Sequence, residues 1–129
     1  MNLEAFAKQV ALADPLLIVD RTVFVHALPA DVSTGAMLRL YFGGTDIDHY
    51  LPGYRKGTFQ VIVRAPVYKT AKALMDKVVI SLTRQTDAFD EMQINYIRPR
   101  SEPFLYPLSA GNRWEFATNF DACYVLPGY

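Results

Sequence analysis

The chain has 129 residues, of which 51% are hydrophobic and 20% charged, and its 13 basic and 13 acidic side chains cancel. That is enough chain for one domain with a real core, so a single domain over 1–129 is expected. The neutral balance argues against a duplex-binding protein, which carries a basic excess or stripe, and it weakens the self-repulsion that opposes self-association.

The lone Cys123 excludes an intrachain disulfide. It sits in an alternating stretch and reads as a small half-buried hydrophobe, with no base nearby to make it a reactive thiol. Such cysteine usage fits a reducing compartment. Glu4, Lys8 and Asp14 interrupt the N-terminal stretch, which therefore does not read as a signal peptide, and no apolar run is long enough to cross a bilayer.

In chain order, Asn2 is an N-cap candidate, with Leu3, Phe6, Ala7 and Val10 at helical spacing behind it. The pattern predicts a short helix over about 3–13, closed by Asp14-Pro15. Leu16 to Val19 is a short apolar run of undefined type. Thr22 to His26 reads as a strand, Pro29 to Gly35 as a loop. Next, Met37, Arg39 and Tyr41 alternate with Leu38, Leu40 and Phe42, a second strand that Gly43-Gly44 is expected to end. The stretch from Gly43 to Lys56 then reads as a long loop, and loops of that length in compact domains are usually functional or mobile.

The segment from Gly57 to Arg84 organises the rest. Phe59, Val61, Val63 and Ala65 alternate with Thr58, Gln60, Ile62 and Arg64, which predicts a strand with one buried face. Pro66 ends it and suits the first turn of a helix. Val67, Tyr68, Ala71, Leu74, Met75, Val78, Val79 and Leu82 then form an apolar stripe on a helix of about 67–84, with Lys69, Lys72, Asp76, Lys77, Ser81 and Arg84 outside it. A polar exit follows through Asp90. Glu91 to Arg98 reads as a strand with Met92, Ile94 and Tyr96 on one face. Pro99, Pro103 and Pro107 mark an apolar loop carrying Phe104, Leu105, Tyr106 and Leu108 and reaching Gly111; a loop this apolar packs on its own domain or on a neighbour. The final strand alternates Trp114, Phe116, Thr118, Phe120, Ala122 and Tyr124 with Glu115, Ala117, Asn119, Asp121, Cys123 and Val125, long enough to be a spine of the sheet. Strands joined mostly by loops predict an α+β fold: one mostly antiparallel sheet, the 67–84 helix across a face, and a short N-terminal helix.

Chemistry is sparse. Asp46, Asp48 and His49 form the only cluster of metal-competent side chains, and they equally suit a turn in which the aspartates bond their own backbone. No nucleophile elbow surrounds Ser33 or Thr34, and Gly43-Gly44 lacks the spacing and lysine of a phosphate loop. No cofactor is called for, and a non-enzymatic role is expected. Tyr50, Tyr54, Phe104 and Tyr106 are aromatics without a basic groove, a pattern more typical of protein interfaces than of base stacking.

The runs Phe24-Val25-His26-Ala27-Leu28-Pro29, Gly35-Ala36-Met37-Leu38-Arg39, Gly44-Thr45-Asp46-Ile47-Asp48-His49-Tyr50-Leu51-Pro52-Gly53-Tyr54 and Phe59-Gln60-Val61-Ile62-Val63-Arg64, with the helix after them, resemble the tail terminator or minor capsid (head–tail joining) proteins of long-tailed bacteriophages. The resemblance runs from about Leu3 to Val125. It implies a structural protein of the virion, assembled in the bacterial cytoplasm. Such a protein forms a homo-hexameric ring at the head-proximal end of the tail, stops tail-tube polymerisation and presents a joining surface to the head connector. The implied partners are other copies of the chain, the tail tube protein and a head-completion protein, with DNA passing through the lumen unbound and no membrane involved. Interface candidates are Asp46, Asp48, His49, Tyr50, Tyr54, Arg55, Phe104 and Tyr106. A head-closure or stopper subunit is the neighbouring reading, against which the long helix counts; a small metal-dependent hydrolase using 46–49 is the enzymatic one.

Overall fold

The computed structural model describes residues 1–109 and 113–128, and the side chains of these other than 41–43 and 107–109. Expectations resting on the side chains of Tyr41, Phe42 and Leu108, or on Gly111, lie outside the described residues. In chain order the elements are α1 (Leu3–Ala11), β1 (Val23–Val25), β2 (Gly35–Ile47), β3 (Tyr54–Ala65), α2 (Tyr68–Leu82), β4 (Arg84–Phe89), β5 (Met92–Pro99), β6 (Phe104–Ser109) and β7 (Arg113–Val125). The strands form one open mixed sheet in the order β1-β2-β3-β7-β5-β4, with β6 also on β7. Only β1 and β2 are parallel; the other neighbours are antiparallel, as an α+β fold of loop-joined strands requires.

The last strand is indeed the spine. Along one side β7 pairs with β3 over its whole length, from Ala65 opposite Trp114 to Tyr54 opposite Val125. Along its other side it pairs with β5 at Phe120–Val125 and with β6 at Arg113–Ala117. β5 and β6 thus lie end to end in one lane. The proline-marked segment is a strand at Phe104–Ser109 and not a loop. Pro107 is tolerated because β6 has no strand beyond it among the described residues.

Three further expectations are corrected. Gly43-Gly44 does not end β2: residues 41–44 bulge opposite Thr58 alone, Gly44 takes φ +75° with open space where a Cβ would stand, and pairing resumes at Thr45 opposite Gly57. The expected long loop therefore shrinks to a hairpin tip over 48–53. The polar exit after Leu82 is strand β4, hidden from periodicity because its residues are exposed on both faces apart from its two half-buried ends. In β5 the pairing slips between Ile94 and Tyr96, so Ile97 and not Tyr96 joins Met92 and Ile94 in the core.

The helices match with trimmed ends. The Asn2 side chain caps α1, accepting from the Ala5 N–H at 3.2 Å, and α1 stops at Ala11, short of Asp14-Pro15. α2 starts at Tyr68, so Pro66 stands just outside it, and its buried stripe is Ala71, Leu74, Met75, Val78 and Leu82. Val67 and Tyr68 are exposed. Tyr68 packs edge-on to Trp114 at 5.5 Å. Both helices pack on one face of the sheet, tied by the Ser81 hydroxyl donating to the Gln9 carbonyl and by the Lys77–Asp14 pair at 2.8 Å. Lys77 and the Leu16 N–H hold the Asp14 carboxyl below its ordinary range.

The core centres on Phe6. It stacks on Phe59 at 5.0 Å and meets Phe89 and Tyr124 edge-on, while Phe59 stacks on Phe120 at 5.3 Å. Burial pushes the Tyr124 phenol up, with Arg55 pulling it partway back. The opposite face of β3 is not left to solvent as a one-faced strand predicts. Arg64 forms a buried pair with Glu115 at 3.1 Å and donates to the Pro29 and Val32 carbonyls. Arg113 also donates to the Ala30 and Val32 carbonyls, so the loop after β1 folds over that end of the face. Cys123 is fully, not half, buried.

Phe59→Ala is expected to cost about 3–5 kcal/mol, since it opens a cavity in the centre of the ring stack; denaturant unfolding with an unchanged slope checks it. The β4–β5 turn places Asp90 and Glu91 at φ 49° and 64°, the geometry of a primed turn that favours Asn-Gly. Glu91→Gly should therefore raise stability by about 1 kcal/mol, read as a higher melting temperature.

Candidate functional site

The expected interface residues divide between two places. The first is the β2–β3 hairpin tip. The Asp48 carboxylate accepts the N–H groups of Tyr50 at 2.9 Å and Leu51 at 2.8 Å, and the Asp48 N–H donates to the Tyr54 carbonyl at 3.1 Å. Tyr54 N–H closes the turn onto the Leu51 carbonyl, and Leu126 N–H ties Gly53 to the end of β7. The tip is thus a braced turn, and what it holds outward is apolar: Tyr50 is 87%, Leu51 64% and Ile47 59% exposed. His49 packs edge-on to Tyr50 at 4.9 Å.

The other tip residues are anchored in the strands. Tyr54 is half-buried, on the sheet face away from the helices, beside Cys123; its hydrogen bond with Cys123 raises its pKa above the ordinary phenol value. Arg55 faces the helix side and donates to the Pro52 carbonyl at 3.1 Å. Asp46 lies in β2 opposite Lys56, over a shallow depression shared with Thr58, Tyr96, Arg98 and Asp121. Asp46, Asp48 and His49 do not converge as a metal set: Asp48 is engaged by its own turn, and among the described residues no three His, Cys, Asp or Glu side chains gather to hold an ion.

The second place is β6. Phe104 and Tyr106 share the sheet face away from the helices with Ala117 and Glu115, whereas Leu105 shares the helix face with Phe116. Phe104 is 41% and Leu105 50% exposed. The Tyr106 hydroxyl accepts from Arg39 Nη2 at 2.8 Å, and Arg39 Nε donates to Gln60 Oε1 at 2.7 Å. Arg39 and Ile47 carry no interface signal in the sequence, whereas Leu105 is marked there as part of the apolar proline-spaced segment.

The structure does not bring the two places together. The tip adjoins Val125 and β6 adjoins Ala117, which lie on the same strand eight residues apart, about 26 Å at ~3.3 Å per residue. No curated protein sequence matches the chain. A chain of the virion of a native gene transfer agent particle shares the fold with a TM-score of 0.66 at 16% identity, the match covering 96% of this chain and 94% of that one. An open mixed sheet with two helices on one face, and no helix long and apolar enough to cross a membrane among the described residues, defines a small α+β domain. The family model for the bacteriophage tail terminator protein matches residues 11–126, and the chain belongs to that family of structural phage proteins, components of the virion.

Asp48→Ala removes both side-chain bonds that brace the tip. It should cost about 1 kcal/mol and loosen Tyr50 without unfolding the sheet, seen as faster amide exchange confined to 48–54.

Proposed function

We propose that the chain closes into a hexameric ring on the head-proximal end of the tail tube, where it stops tube polymerisation and offers a joining surface to the head-completion protein. Family membership supports the tail-terminator role. The observation that carries the ring is the separation of two exposed apolar patches, Ile47-Tyr50-Leu51 and Phe104-Leu105, to opposite ends of one sheet. A head-to-tail contact needs two different patches on each subunit, and when its rotation closes it makes a ring. A two-fold dimer needs only one self-complementary patch. The tip residues Asp46, Asp48, His49, Tyr50, Tyr54 and Arg55, with Phe104 and Tyr106, form or support these patches. The tail tube protein and the head connector then meet the two rims of the ring, and DNA threads its lumen.

Light scattering across a concentration series, with negative-stain images of the same samples, is expected to show closed six-subunit rings. Added to tail tubes lacking a terminator, the protein should bind one end and halt growth. Binding to DNA-filled heads and not to tails overturns the reading in favour of a head-closure role. Tyr50→Ala should leave the monomer's melting temperature unchanged and weaken assembly about tenfold or more, as loss of an interface aromatic does.

A further inference from the structure

We propose that neighbouring copies join edge to edge, the Thr45–Ile47 end of β2 in one copy adding as an antiparallel strand to β6 of the next. This names the contact within the ring reading above and rests on that reading for the number of copies, but its grounds are separate.

The sheet is cut diagonally. β1 covers β2 only at Ala36–Leu38, so Thr45–Ile47 has no strand on the side away from β3 among the described residues. At the other side β4 covers β5 but stops short of β6, whose outer edge is open among the described residues; Pro107, which falls opposite Thr45, has no N–H to give and leaves that pairing one backbone bond short. The two open edges run in opposite directions, because three antiparallel steps (β2 to β3, β3 to β7, β7 to β6) separate them. Two copies placed side by side in the same orientation therefore present an antiparallel pair, ready to share backbone hydrogen bonds.

Face selects one register. Ile47 lies on the helix face, level with Arg55 and Tyr124, and Leu105 lies on the same face, level with Phe116. Pairing them joins two apolar side chains that are 59% and 50% exposed in the single chain. A slip of one residue sends Ile47 to the wrong face. In the chosen register Asp46 falls opposite Tyr106, both on the face away from the helices. Arg39 is half-buried there with only the neutral partners Gln60 and Tyr106 among the described residues. Tyr106 accepts from Arg39 and so keeps its own proton to donate. Asp46 is exposed and has no ion-pair partner among the described residues. The Tyr106 side chain reaches inward over β7 to Arg39, so in this register Asp46 meets β6 through its backbone and its carboxylate stays in solvent.

The test uses the full chain carrying Ile47→Cys and Leu105→Cys, both at exposed positions, treated with a short bismaleimide; the native Cys123 is buried and does not compete. The expected result is a covalent ladder extending beyond the dimer. Either single variant alone gives no ladder, and a mixture of the two gives dimer only. In parallel, Ile47→Asp should raise the concentration for half-assembly by about tenfold or more with an unchanged melting temperature. Rings that form without cross-linking overturn the edge contact and leave the ring reading standing. Cross-linked open chains without closed rings uphold the contact and overturn the ring. A strict monomer with no cross-link at any concentration overturns the contact.

Discussion

The stack of Phe6 on Phe59 on Phe120 is the contact on which the rest depends. It joins the first helix to the two longest-paired strands, three segments that are far apart in sequence. Tyr124, further along the same β7, and Phe89 of β4 close around Phe6. Aromatic burial of this size outweighs any one backbone bond. With Phe6 fixed, α1 has one place to lie, and the Ser81–Gln9 and Lys77–Asp14 contacts then set α2 beside it. The helix face is thus organised from one ring outward. The other face is organised by charge, through Arg64 with Glu115 and Arg39 with Gln60 and Tyr106.

Those two kinds of order account for what was legible in the sequence. Phe59, Val61 and Val63, the α2 stripe, the Asn2 cap and the alternation of β7 each carry an apolar period, and each was found. The misses share a physical cause. β4 is almost wholly exposed, so no period marks it. The glycines before Thr45 look like a stop because glycine serves turns and bulges alike, and only the pairing of Thr45–Ile47 with Arg55–Gly57 tells them apart. The prolines near β6 look like a loop because an open edge tolerates what a central strand does not. Arg64 belongs to the face that a one-faced strand leaves to solvent, yet it and Glu115 bury each other beneath the loop after β1.

For the candidate site, two segments stand out in the sequence, and their distance comes only from the strand register. Tyr50 and Phe104 belong to two separate aromatic segments of the sequence, and the strand register sets these at opposite ends of β7. Asp48 shows the reverse: an apparent ligand whose carboxylate is occupied in shaping the turn that carries Tyr50. In the proposed ring the tip would meet its neighbour through its apolar side chains, with Asp48 shaping the turn that presents them.

The topology also orders events in time. β3, β5 and β6 pair with β7 but not with one another, and all three precede it in the chain. Until residues up to Val125 have been synthesised, the strands can form only the pieces β1-β2-β3 and β4-β5, with the ring of Phe59 lacking Phe120. Neither piece can hold the fold, and β6 has nothing to pair with. A chain cut before β7 therefore cannot assemble this sheet. Folding therefore waits on β7, and the three strands that precede it gain their common partner in one step.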